Sequence, residues 1–154
     1  MTPAVRALEA AGVPFTVHEF EHVSGQRDFG REAATALALD PDQVFKTLVV
    51  TTDAGLAVAI VPVSYQLSLK ATATALGAKR ADMCDPEVAA RTTGYVVGGI
   101  SPFGQRKRLP TVVDETCELF DTIYVSGGRR GLDLGVAPGD LVAVTGAIVA
   151  RITA

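Results

Sequence analysis

A lysine stands in the middle of an apolar run, QVFKTLVV, at residues 43–50. Side chains alternate along a strand, so Lys46 shares a face with Val44, Leu48 and Val50, while Phe45, Thr47 and Val49 share the other. Neither face is polar. The ammonium group must therefore snorkel at a sheet edge, pair with an acid such as Asp133, or point into a cavity. A positive charge held in a dry pocket suits a developing oxyanion, or a phosphate or carbonyl that has to be held still.

Two glycine loops offer further chemistry. In TGYVVGGISPFGQ (93–105), Gly98 and Gly99 are followed by Ile100, Ser101 and Pro102. Paired glycines let a backbone come close to a ligand and aim its amides at it, and the proline stiffens the exit. In YVSGGRRGLD (124–133), Ser126 precedes two glycines, Arg129–Arg130 and then Asp133. Such a loop can hold phosphate, yet it is neither GxxxxGK[ST] nor a GxGxxG opening a helix, so an ATPase or dinucleotide site is unsupported. The cations of QRKRLPT (105–111) either steer a polyanion or keep a surface loop solvated. Neither a nucleophile elbow nor a placeable Ser/His/Asp set is found.

Metal ligands are scarce, because His18 and His22 are the only histidines and Cys84 and Cys117 lie far apart. The histidines read as a strand end and the loop after it, and the cysteines as packing residues. No cofactor is implied. A net charge of −3 and a pI of about 5.3 argue against a protein that grips long nucleic acid unaided, but not against contact with a short nucleic-acid end. The longest apolar stretch, LAVAIVPV at 56–63, is far shorter than the roughly 20 residues a membrane helix needs. The start, MTPAVRALEAAG, lacks the features of a signal peptide. These traits predict a soluble, cytoplasmic protein.

These groups need elements to position them. The chain's 154 residues fit one domain, 1–154, with one substantial core. Thr2 and Pro3 predict a helix start and Gly12 its end. PFTVHEF (14–20) alternates as a strand, and Asp28 opens a second helix through REAATALAL. Asp53–Ala54–Gly55 joins strands 44–52 and 56–63 as a hairpin. A third helix is expected over about 67–77 and a fourth, capped by Asp85–Pro86–Glu87, over 85–91. Beyond them YVVG, TVVDE, TIYVSG, GLDLG and LVAV read as short strands. Helices come early and strands late, which predicts an α+β fold: a mixed, closed or nearly closed sheet or barrel flanked by helices.

Taken together, MTPAV, VFKTLVV, LGAKRADMCDP, RTTGYVVGGISPFGQRKRLPT and IYVSGGRRGLD resemble the YbaK/EbsC family of aminoacyl-tRNA editing proteins, most closely its Cys-tRNA(Pro) deacylase branch. The resemblance runs in order along nearly the whole chain. It implies a trans-acting hydrolase that removes cysteine wrongly attached to proline tRNA, with a compact, helix-flanked mixed barrel taking in the aminoacylated 3′ end. By position the family's key lysine falls on Lys46, with Thr47 beside it, and its glycine–proline loop on Gly98, Gly99, Ile100, Ser101 and Pro102. Ser126 and Asp133 match polar positions of the second loop. Phe20 stands where relatives lead one to expect tyrosine, which removes any phenol hydroxyl from that position. The branch also implies that the substrate's own thiol attacks its carbonyl, and that prolyl-tRNA synthetase holds the tRNA body.

Two other readings are consistent with the residues. One is a deacylase for a different mischarged tRNA, Ala-tRNA(Pro) or Ser-tRNA. The other is a non-catalytic module that docks on a synthetase.

Overall fold

The computed structural model describes all 154 residues. Helix α1 (Pro3–Ala11) starts where the sequence places it: Thr2 Oγ1 accepts from Val5 N, and Gly12 closes the helix at φ 69°. The same Thr2 hydroxyl donates to Gly127 O, which moors α1 to the second glycine loop. Strand β1 (Thr16–Glu19) leads into a strap and then α2 (Phe29–Ala36), capped by Asp28, whose carboxylate accepts from Arg31 N. Strands β2 (Phe45–Thr52) and β3 (Gly55–Pro62) form the expected hairpin, with Lys46 opposite Val61.

Helix α3 (Leu69–Ala75) begins at a Ser68 cap, and strand β4 (Ala81–Met83) follows. Helix α4 (Pro86–Thr93) has the Asp85 cap and ends at Gly94, φ 82°. Then come β5 (Thr111–Asp114), a 3-10 turn (Glu115–Leu119), β6 (Ile123–Ser126), β7 (Leu132–Val136), α5 (Pro138–Thr145) and β8 (Ile148–Ala150).

Two sequence expectations fail locally. YVVG is a turn, in which Tyr95 is buried and donates its hydroxyl to Phe103 O while Val96 and Val97 are exposed. LVAV lies inside α5, because Pro138 at the first helical position and Gly146 at φ 70° frame a helix around it. A short apolar run does not by itself separate strand from buried helix. Strands β4 and β8, three residues each, carried no signal.

The fold is mixed α/β, with its strands in two sheets. One has order β4-β2-β3-β5-β8, the other β1-β7-β6. The main core lies between them: Phe45, Val49, Val58 and Ile60 face Ile123, Val125, Leu134 and Val136, with Leu8 and Leu141 closing the ends. On the reverse of the larger sheet Ala59, Val61, Val112 and Ile152 pack beside Leu48, Leu76 and other half-buried residues.

Closure into one barrel is incomplete, and where it fails can be read from β2. Val63 N donates to Val44 O, so the even-numbered residues of β2 bond towards β3 and the odd-numbered ones towards the opposite edge. On that edge Tyr124 of β6 donates to Gln43 O, with an isolated bridge between Val44 and Tyr124. Cys84 donates to Val49 O, and β4 pairs only with Val50–Thr52. Between the two contacts, around Thr47, the edge of β2 is open.

Candidate active site

The opening on the edge of β2 is the mouth of a cleft of about 570 Å³. Its walls come from β2, from the start of α2, from Cys84, Pro86 and Ala89 around the start of α4, from Val97, Gly98 and Ile100, and from Ser126 and Asp133. Volumes of roughly 300–1,000 Å³ are usual for small-ligand pockets.

Of the expected site residues, Lys46, Thr47, Gly98, Ile100, Ser126 and Asp133 line this cleft together. Lys46 is half-buried and is in no ion pair; those of the structure are His22–Glu32, Arg31–Asp28 and Arg129–Glu19. Pairing with Asp133 is thereby excluded as its role at rest. Thr47 is buried and its Oγ1 has no hydrogen-bond partner. By the β2 alternation its N–H and C=O also face the open edge. An orphaned buried hydroxyl is costly, on the order of 1–3 kcal/mol, and calls for a partner from outside the chain.

Asp133 sits in β7, opposite Ser126 on one side and His18 on the other, and only 7% of it is exposed. Burial pushes its carboxyl up to about 7. Ser126 Oγ accepts from Gly128 N, which holds the second glycine loop rather than arming a nucleophile. Neither histidine serves a cleft hydroxyl: His18 Nε2 meets Thr16 Oγ1 at 2.8 Å, and His22 Nδ1 meets Glu32 Oε1 at 2.6 Å.

The glycine loop divides its amides. Gly99 N donates to Val96 O and closes the turn, whereas Gly98 and Ile100 N–H have no acceptor within the protein. Both glycines are required by close approach. A Cβ on Gly98, at φ 87°, would lie 2.6 Å from the Phe29 ring, and one on Gly99 would lie 2.8 Å from Arg129 Cα. Ser101 and Pro102 face away from the cleft: Ser101 Oγ accepts from Phe103 N, and Pro102 borders a separate small cavity beside Arg108 and Thr145. Phe20 is half-buried, donates its N–H to Gly131 O and does not line the cleft. Two of the three cations of QRKRLPT are engaged elsewhere. Arg106 reaches Arg91 O in α4 and Arg108 reaches Val144 O in α5, satisfying carbonyls near two helix C-termini.

Several lining residues escaped the sequence reading, notably Arg27, Phe29 and Cys84. Asp28, beside the first two, was visible only as a helix cap. Phe29 touches Gly98, lies near the His22 ring at 5.6 Å and carries the Arg130 guanidinium 4.7 Å from its centroid. Glu32, one turn along α2, accepts from His22 and from Val23 N, fastening the strap of residues 20–28 to the helix. Burial acts to raise its carboxyl, but those two hydrogen bonds outweigh it and hold Glu32 below the ordinary value.

The site is thus a cleft in a mixed two-sheet shell that brings together an unpaired lysine, an orphaned hydroxyl and free loop amides. Residues 26–144 match the family model described as the aminoacyl-tRNA editing domain. The chain belongs to that family, and its enzyme class is the aminoacyl-tRNA deacylases, which hydrolyse the aminoacyl ester.

The chain is 35% identical to EbsC of Enterococcus faecalis, assigned as a Cys-tRNA(Pro)/Cys-tRNA(Cys) deacylase, over 99% of this chain and 93% of that one. It is 32% identical to a proline–tRNA ligase of Citrifermentans bemidjiense, over 64% of this chain and 17% of the ligase. A solved structure described as a trans-editing enzyme for prolyl-tRNA synthetase superposes with a TM-score of 0.86 at 28% identity, covering 100% of this chain and 99% of that one. No helix is long and apolar enough to cross a membrane.

Proposed function

We propose that the protein is a trans-acting editing hydrolase that removes cysteine from mischarged Cys-tRNA(Pro), meeting the 3′ end while prolyl-tRNA synthetase holds the tRNA. The observation that carries this reading is the orphaned Thr47 on an open strand edge, facing a cleft shared with Lys46 and the free amides of Gly98 and Ile100. These groups match an aminoacyl ester. Thr47 C=O and Oγ1 accept from the α-ammonium, the two amides donate to the ester carbonyl, and Lys46 holds the oxygens of the terminal ribose.

The chain supplies no activated nucleophile, so the substrate's thiol serves. Asp133, with its carboxyl near 7, takes the thiol proton. The sulfur attacks the carbonyl carbon, the bond from carbon to ribose oxygen breaks, and that oxygen leaves with the proton that Asp133 took from the thiol. Water then opens the thiolactone to free cysteine. Selection by a reacting thiol exceeds what size alone affords, since one methylene separates substrates by only about 1–3 kcal/mol.

The test is hydrolysis of Cys-tRNA(Pro) beside Ser-tRNA(Pro), which differs by one atom. Release of cysteine with serine left in place is the expected result. Equal release of both would assign the chemistry to an enzyme-bound water instead.

A further inference from the structure

Two adjacent arginines in the second glycine loop are used differently. Arg129 is consumed by the fold: Nη1 donates to Arg130 O at 3.2 Å and Nη2 meets Glu19 Oε2 at 3.1 Å, tying the loop to the end of β1. Arg130 is fixed along one edge and one face only. Its Nε donates to Val97 O at 2.9 Å, and its guanidinium lies over the Phe29 ring. Its Nη1 and Nη2 make no hydrogen bond within the chain and are in none of its ion pairs.

Val97 and Phe29 are themselves walls of the cleft. The two contacts therefore hold an exposed guanidinium against the outer side of two cleft walls, with its two terminal nitrogens unspent. Arg27 also lines the cleft, and its side chain makes neither an ion pair nor a hydrogen bond.

A planar fork matches two oxygens of an anion, and its ordering cost has already been met by Phe29 and Val97. The aminoacyl end is cationic at its α-amino group, so the anion that reaches the mouth of this cleft is a phosphodiester of the single-stranded 3′ end. We propose that Arg130 binds one such phosphodiester in bidentate fashion, with Arg27 as a second phosphate contact on the same cleft. This rests on the reading of the cleft as an aminoacyl-tRNA site. It makes Arg130 a substrate-binding residue rather than a tether of the Val97 loop alone.

The probe is a fluorescein-labelled single-stranded RNA ending in CCA, uncharged, titrated by anisotropy at salt concentrations between about 50 and 300 mM. Arg130→Gln should weaken binding and flatten the slope of log K against log salt by about 0.7, the change for one phosphate lost from a single strand. Arg130→Lys keeps the charge without the fork, so it should retain the slope while binding less tightly. On Cys-tRNA(Pro), Arg130→Gln should raise KM several-fold more than it does on cysteine ethyl ester, which has no phosphate, while Arg130→Lys should recover part of that difference.

An unchanged slope in Arg130→Gln, no salt-dependent binding by the wild type, or an equal loss on the small ester would each overturn the proposal. Wild-type binding with the predicted slope but no hydrolysis of any aminoacyl-tRNA would sink the deacylase reading and leave the phosphate contact standing.

Discussion

Burial lifts the Asp133 carboxyl from its ordinary 3.8 to about 7, so its proton is exchanged within the working range of an ester hydrolase. The folded chain then binds that proton more tightly than the unfolded chain, and stability falls as pH rises from about 4 to 7, by up to about 4 kcal/mol. Asp133→Asn should remove this dependence: denaturant unfolding of the variant at pH 8 should show a gain that vanishes near pH 4. In activity the sign is the opposite. The wild-type kcat/KM should rise with pH through an apparent pKa near 7, and the variant should be slow and flat across that range. A rising limb that survives in Asp133→Asn would assign the titration to another group. At this scale the sequence made Lys46 and both glycine loops legible, because each breaks a local pattern. It could not reveal that Thr47 Oγ1 is orphaned or that Phe29 carries Arg130, since both depend on chain segments distant in sequence.

Helices α1, α2 and α4 were legible because capping chemistry marks their starts. Thr2–Pro3, Asp28, Asp85–Pro86 and the αL Gly12 all stand where the sequence puts them, whereas α4 runs on to Thr93, two residues past its expected end at 91. LVAV was misread because a valine-rich run of four cannot tell sheet from buried helix, and the decisive Pro138 lies outside it. The same accounting separates two glycines. Gly98 combines φ 87° with a Phe29 ring where a Cβ would fall, whereas Gly139 in α5 has nothing within 4 Å. Gly98→Ala should cost about 1–2 kcal/mol in backbone strain alone, plus displacement of Phe29, and should reduce deacylation at least tenfold by moving the free amides. Gly139→Ala should leave activity unchanged and raise stability by up to about 1 kcal/mol, as read by thermal unfolding. Comparable losses in both variants would deny the glycine loop its special place.

Across the whole molecule, the sheet that sequence order predicted to close leaves β2 uncovered between its Tyr124 and Cys84 contacts, and the cleft occupies that gap. Segment order pointed to a barrel-like mixed sheet, but where it stays open is set by the three-residue length of β4, which no pattern announced. Net charge has a consequence at the same scale. At −3 the chain has little general attraction for a tRNA body, so the substrate must be held by local groups at the mouth and, in our reading, by a synthetase alongside. In our proposal Lys46 serves this cleft as the cation that holds the aminoacylated end. It is tested most directly by hydrolysis of Cys-tRNA(Pro), Ala-tRNA(Pro) and Pro-tRNA(Pro), with prolyl-tRNA synthetase present, by the wild type and Lys46→Ala. Cysteine-selective release is expected, falling at least a hundredfold in the variant while its thermal unfolding is unchanged. Undiminished release by Lys46→Ala, or none by the wild type on any of the three, would contradict it.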